Sequence, residues 1–167
     1  LDAAVSNKLL LNMSGSADVK IEDVLLSSLL TGISRQSGAE RIGIDFESHG
    51  RHDGQGMDVP AIVGWFTQIF PMYFDLQGLQ LERELVHLVR VERTHVPRYG
   101  AGFGLLVYAS EEAVLKSNNR FLFNHLGHIR ATDSDPNKLA VTPYISKSDK
   151  HNLSHCQYPL VLNPYVS

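Results

Sequence analysis

The chain has 167 residues, 43% apolar and 20% charged, the proportions of one ordinary globular domain long enough to bury a core. Fifteen Lys and Arg against eighteen Asp and Glu leave a net charge of −3, with the basic residues scattered, so there is no electrostatic case for nucleic acid or an anionic membrane surface. No apolar run approaches the roughly 20 residues a membrane helix needs, and the lone Cys156 excludes an internal disulfide and fits a reducing cytoplasm, the expected location.

In chain order, Asp2 opens a first helix that carries Val5, Leu9 and Leu10 at helical spacing to Met13, and Ser14-Gly15-Ser16 ends it. Ile21 to Arg35 is a second helix: Ile21, Val24, Leu25, Leu29 and Ile33 make an apolar stripe, Leu26 and Leu30 widen it, and Ser37-Gly38 closes it. Such a helix should be largely buried. In the strand from Ile42 to Glu47, Ile42, Ile44 and Phe46 share one face while Asp45 and Glu47 share the other. A glycine-rich loop follows from Arg51 to Val59, then a short helical turn over Val59 to Val63 with Pro60 in its first turn. Trp65 to Leu76 is aromatic and β-branched enough for a strand, which Pro71 confines to a sheet edge or a bulge.

Leu79 to Val96 has the period of an amphipathic helix, with Leu81, Leu85, Leu88 and Val89 inward and charges including Arg90, Glu92 and Arg93 on a solvated face, ending before Pro97. Gly100 to Gly104 is expected as a flexible loop, and Leu105 to Leu115 fits helix or strand. Phe121, Phe123 and His125 alternate in a strand expected from Arg120 to Arg130. A turn-rich loop at Asp133 to Lys138 and two further strands, Leu139 to Ile145 and Cys156 to Leu162, complete the pattern. The whole, residues 1–167, is expected to be α/β: a single αβ sandwich lobe with a mixed sheet. It begins at Leu1 without methionine and stops just after a strand-like run, as an excerpt of a longer protein would.

Chemistry concentrates at the end of the Ile42 strand. Glu47, His49 and Arg51 place a carboxylate, an imidazole and a guanidinium within five positions, a set suited to general acid/base work, or to a surface loop whose Glu and Arg pair. His49 and His52 flank Asp53, and His125 and His128 are three apart. In an extended segment that offset points two rings to opposite faces, and no HExxH motif or cysteine cluster exists, so no metal site is expected. Gly100, Gly102 and Gly104 lack the third glycine offset of a dinucleotide turn, and no serine nucleophile elbow is present.

Four segments, in order, resemble the motifs of epimerization domains of nonribosomal peptide synthetases, which belong to the condensation-domain superfamily. Asp45-Phe-Glu-Ser-His-Gly-Arg51 resembles D-x-E-G-H-G-R-E, and Val63-Gly-Trp-Phe-Thr67 resembles the end of R-T-V-G-W-F-T. Pro97-Arg-Tyr-Gly-Ala-Gly-Phe-Gly104 resembles P-x-x-G-x-G-Y-G, and Phe123-Asn-His-Leu-Gly127 resembles F-N-Y-L-G. Condensation domains share the fold but carry G-x-F-V-N-T where this chain has Gly64-Trp65-Phe66-Thr67, so the match favours epimerization.

The resemblance implies one half of a two-lobe domain similar to chloramphenicol acetyltransferase. That half is the C-terminal lobe, stopping before the family's closing strand and helix and without the H-H-x-x-x-D motif of the N-terminal lobe. It implies Glu47 as catalytic acid/base, with a histidine of the missing lobe as counterpart, and His49, Arg51, Trp65, Asn124 and His125 around the substrate. No intrinsic cofactor is implied. The substrate would be an aminoacyl or peptidyl thioester on the phosphopantetheine arm of a carrier protein, and the partners that carrier, the missing lobe and neighbouring synthetase domains. Three positions depart from the motifs: Ser48 replaces a glycine, His52 a glutamate and His125 a tyrosine, the last altering proton delivery if the tyrosine hydroxyl places the intermediate. A condensation-type acyltransferase lobe that forms peptide bonds, and a non-catalytic platform that docks a carrier protein, remain as alternatives.

Overall fold

The computed structural model describes residues 4–6, 8–9, 19–51, 62–79, 82–109, 117–128 and 158–166. Residues 4–6 and 8–9 are helical, within the first expected helix, the remainder of which lies outside the described residues. Helix α1, Ile21–Ser37, begins after extended Lys20, whose N–H donates to Asp23 Oδ2 at 2.8 Å and so meets one end of a capping box. It ends at Gly38, left-handed at φ 72°, which returns its N–H to the Ser34 carbonyl at 2.8 Å.

The fully buried line of α1 is Asp23, Leu26, Ser27 and Leu30, whereas Ile21, Val24, Leu25, Leu29 and Ile33 are only partly covered. The expectation of a largely buried helix is thereby corrected. The core takes one stripe, and polar residues enter it because they are satisfied internally: Ser27 Oγ donates to the Asp23 carbonyl at 2.5 Å.

Strand β1, Arg41–Ser48, follows the predicted alternation, with Ile42, Ile44 and Phe46 buried. It pairs antiparallel with β2, Gln68–Asp75, in a register running from Arg41 opposite Asp75 to Ser48 opposite Gln68. It runs parallel to β3, Phe121–Asn124, with Glu47 beside Asn124. After β4, Gly127–His128, comes β5, Leu160–Leu162, parallel to β3. The sheet order β2-β1-β3-β5 makes β2 an edge, which is how Pro71 is accommodated. Helix α2, Glu82–His95, stops before Pro97 as expected. Its Leu85 and Val89 join Leu26 and Leu30 of α1 over Ile42, Ile44, Phe46 and Phe74, so both helices cover one face of the sheet.

Several expectations change. The glycine loop at Gly100 to Gly104 is a 3₁₀ turn, Pro97–Gly100, running into helix α3, Ala101–Ala109. Only Gly100 of its glycines has positive φ, and Phe103 packs on the core, so a tertiary contact overrides weak helix propensity. The strand expected over Arg120 to Arg130 is broken after Asn124, because Gly127 takes φ 73°; β4 then pairs with β6, Tyr165–Val166, in a separate two-stranded sheet. Of Trp65 to Leu76 only Gln68–Asp75 is strand, and of the strand expected over Cys156 to Leu162 the described part, from Tyr158, is strand at Leu160–Leu162. Ile62 to Gly64 is not helical; Val59 to Ala61, most of the loop before it, and the Asp133 to Ile145 segments lie outside the described residues.

Gly100 and Gly102 give opposite predictions. At Gly100, φ is 88° and a Cβ would run into the Phe70 ring, so Gly100→Ala should lower stability by more than ~1 kcal/mol. Gly102 is helical with open space where a Cβ would stand, so Gly102→Ala should raise stability by ~0.5–1 kcal/mol. Urea midpoints at unchanged m-value measure both, and two shifts of the same sign would refute the assigned turn.

Candidate functional site

The carboxyl ends of parallel strands open a crevice in α/β sheets, and here β1 and β3 end side by side at Glu47 and Asn124. A cleft of about 370 Å³ lies there, walled by these two residues, by Phe46 and Phe70 from the sheet, and by the ends of α1 and α2. Phe46 stacks on Phe123 at 5.7 Å between ring centroids and meets Phe70 at 5.6 Å, so this cleft-lining ring is held from two sides.

Two carboxylates on the same face of β1 have different fates. Asp45 is buried and fully engaged: its Oδ1 accepts from Ser117 Oγ at 2.6 Å and Asn119 Nδ2 at 2.7 Å, and its Oδ2 accepts from Tyr158 Oη at 2.7 Å. Burial, and then the bond to Asp45, push the Tyr158 phenol well above its ordinary pKa, so it stays a donor. Glu47, one pleat further, is half-buried at the cleft. Partial burial pushes its pKa above the ordinary carboxylate value, and the proton affinity of the group rises with it.

The rest of the Asp45 to Arg51 motif builds the loop. Gly50, at φ 65°, lets the chain pass so close to the Phe66 carbonyl that no Cβ fits. Arg51 donates from Nη1 to the Ile62 carbonyl and from Nη2 to the Gly64 carbonyl, both at 2.8 Å, and lies 4.6 Å over the Phe66 ring. It braces the loop and does not line the cleft. His49, on the rim, accepts the Arg51 N–H through Nδ1 at 2.9 Å, leaving Nε2 to carry the ring hydrogen. Trp65 also lines the rim, 88% exposed.

Glu47, His49, Trp65, Asn124 and His125 thus share one cleft, and Arg51 stands outside it. Further lining residues escaped the sequence, among them Lys20, Glu22, Arg93 and Tyr99. Arg93 is the instructive one. Its assignment to a solvated face is corrected, since its side chain is 11% exposed and its Nε contacts Asp23 Oδ1 at 2.7 Å, with Nη2 3.3 Å from Oδ2. The signal was present: Arg93 stands four residues after Val89, which stands four after Leu85, so it continues the buried stripe. Tyr99 enters from a turn in which both Arg98 (φ 49°) and Tyr99 (φ 54°) are left-handed.

Among the described residues no three His, Cys, Asp or Glu side chains gather as metal ligands, and His52 and Asp53 lie outside them. No described helix is long and apolar enough to cross a membrane.

Bacitracin synthase 3 of Bacillus licheniformis is 32% identical over 133 residues, which is 78% of this chain and 2% of that protein. The solved epimerization domain from the third module of tyrocidine synthetase B superposes with a TM-score of 0.67 at 22% identity, over 77% of this chain and 30% of that one. The first condensation domain of the calcium-dependent antibiotic synthetase, with a substrate analogue, gives 0.57 at 15% identity, over 77% of this chain and 28% of that one. This chain therefore spans a small part of the synthase and under a third of either solved chain. The family model described as "Condensation domain" matches residues 2–163, nearly the whole sequence, and the chain belongs to that family.

Proposed function

We propose that this chain is the carboxylate-bearing lobe of a nonribosomal peptide synthetase domain that inverts the α-carbon of an aminoacyl or peptidyl thioester held on the phosphopantetheine arm of a carrier protein. The observation that carries the reading is Glu47: a carboxylate of raised proton affinity at the end of β1, in a cleft, beside Asn124. The thioester acidifies the α-proton. Glu47 takes it to form a carboxyl O–H, the C–H electron pair moves into the Cα–C bond as the carbonyl π pair moves onto oxygen, and both shifts reverse when a proton delivered to the other face of Cα gives the inverted centre. The counterpart acid is expected from the lobe this chain lacks, and Asn124 supplies an amide to orient the substrate. The four epimerization-type motifs and the superposition on an epimerization domain support this reading.

The family description, and the likeness to a solved condensation domain, favour a second reading in which the same lobe serves acyl transfer between two carrier-bound substrates. Deuterated water separates the two. The complete parent protein, given its loaded carrier, should incorporate α-deuterium without any acceptor amine if it epimerizes. Amide formation with an acceptor and no exchange would favour condensation, and neither reaction would leave a docking platform.

Two predictions concern Glu47→Gln, which keeps shape and removes basicity. Exchange in the parent protein should fall roughly 100 to 10,000-fold, as loss of a positioned general base does; near-normal exchange would remove Glu47 from the mechanism. The second concerns stability against pH. Because the folded state raises the pKa of Glu47, its protonated form is the one the cleft favours, so its contribution is full below the ordinary carboxylate pKa and is lost as pH rises through the raised value. Melting temperatures should therefore coincide near pH 4 and favour the Gln variant at pH 7. A Gln variant that melts lower only at pH 7 would contradict the assigned environment.

A further inference from the structure

The turn between α2 and α3 is strained at a side chain that neither the turn nor the core requires. Among the described residues, the non-glycine positions in the left-handed region are Arg98 at φ 49° and Tyr99 at φ 54°. That region crowds the Cβ of an L-residue against its own backbone, and two large residues in succession rarely hold it. The turn is fixed by its neighbours. Gly100 lies so close to the Phe70 ring that no Cβ fits, and the Tyr99 N–H donates to the Val96 carbonyl at 3.3 Å. Glycine in place of Tyr99 would make the same turn with less strain. Nor does the core hold the ring, because Tyr99 is 52% exposed. What the conformation achieves is to set that ring in the wall of the cleft that contains Glu47, which Val96 and Phe70 also line. Backbone strain kept at a cleft points to a side chain that works there.

We infer that Tyr99 is a specificity-determining residue: its ring, with Val96 and Phe70, forms the wall against which the side chain of the carrier-bound aminoacyl group packs, and the site prefers a large apolar or aromatic side chain. The inference rests on the thioester reading of the site. In that reading the α-carbon comes to Glu47, so its side chain must lie elsewhere in the same cleft, whose volume of about 370 Å³ is that of a small-ligand site. A wall of two aromatic rings and a valine ranks side chains by the apolar area they bury and by ring contact. A charged side chain finds partners already taken, since Arg93 is bound to Asp23 and Glu22 Oε1 stands 3.3 Å from His125 Nδ1. Lys20, on the exposed rim, and Glu47 are charged lining residues outside these pairs, so an acidic and a basic side chain both belong among the probes.

The test uses the complete parent protein, its carrier without the phosphopantetheine arm, and soluble aminoacyl-pantetheine probes in which an amide replaces the thioester, so that affinity is read without any reaction. Titration calorimetry should find a phenylalanyl probe roughly tenfold or more tighter than an alanyl one, with glutamyl and lysyl probes no tighter than alanyl. In Tyr99→Gly and Tyr99→Ala that ratio should fall roughly 3 to 10-fold, as expected for one ring contact, and Tyr99→Phe should retain it. The two truncations separate function from structure. Both lose the ring, but glycine relieves the left-handed backbone and alanine does not, so the urea midpoint of Tyr99→Gly should lie above that of Tyr99→Ala and not below wild type. An unchanged ratio in folded Tyr99→Gly, a glutamyl or lysyl probe tighter than the phenylalanyl one, or a Tyr99→Gly midpoint below wild type would overturn the inference. Exchange of α-deuterium by the parent protein with its loaded carrier, measured in parallel, keeps the two readings apart. Exchange with an unchanged ratio removes Tyr99 and leaves the isomerase; a ratio lost in Tyr99→Gly without any exchange leaves Tyr99 as the selector on a lobe of another thioester chemistry. Failure of every probe to bind would overturn both.

Discussion

The cleft depends on a charge taken out of water. Asp23 is fully buried, and a buried carboxylate without a counter-charge is untenable, so Arg93 must reach it from the opposite helix. Breaking such a pair typically costs ~3–5 kcal/mol, because the surviving charge remains buried. The pairing joins the first turn of α1 to the last turn of α2, where each charge also complements the helix dipole. Because it sits at those two ends, it fixes how α1 presents Glu22 and where α2 delivers Val96 and the left-handed turn bearing Tyr99. The helix ends become one wall of a cleft as a consequence.

Asp45 does the equivalent for the sheet. It lies on the face of β1 opposite the helices, and its three donors come from the segment before β3 and from Tyr158, just before β5. Those bonds hold the approach to two parallel strands against β1, and Gly43 contributes by leaving no Cβ in the way of Asn119. The register that sets Glu47 beside Asn124 is fixed in this way. The motif that begins with Asp45 is thus mainly architecture: an anchor, a glycine crossing and an arginine brace, built so that one carboxylate stands at the strand end.

What could be read from the sequence was whatever is governed by local periodicity. Ile42, Ile44 and Phe46 alternate because β1 has one covered face, α1 stops where Gly38 can turn left-handed, and Pro71 marks β2 as an edge. Illegible features were decided at a distance. Gly102 and Gly104 resemble a loop until Phe103 packs on the core, and although the spacing of Leu85, Val89 and Arg93 marks a covered position, that a charge can stand there is decided by Asp23, seventy residues earlier. The same holds for the candidate site. Glu47 stood out by its place at the strand end and Asn124 was named from the motif resemblance, but Glu22 carried no mark beyond its place in the first turn of a helix. Arg51, chemically the most suggestive neighbour of Glu47, spends its donors on two backbone carbonyls.

A carboxylate and an imidazole in one cleft are useful only if their environments push them to different tasks. Glu47 is partly desolvated, which raises its proton affinity, yet it stays accessible enough to exchange that proton with a substrate. His125 is nearly buried, with Nδ1 3.3 Å from Glu22 Oε1. Removal of a weakly acidic α-proton needs both, a base that accepts it and a fixed dipole where the electrons arrive, because neither alone lowers the barrier at the carbon and at the oxygen together. Acyl transfer also develops charge on a carbonyl oxygen, but its nucleophile arrives with the second substrate and requires no base of raised affinity beside the α-carbon. The partial burial of Glu47 is therefore one physical reason for the isomerase proposal, and the exchange experiment, not the fold, is what distinguishes the two chemistries.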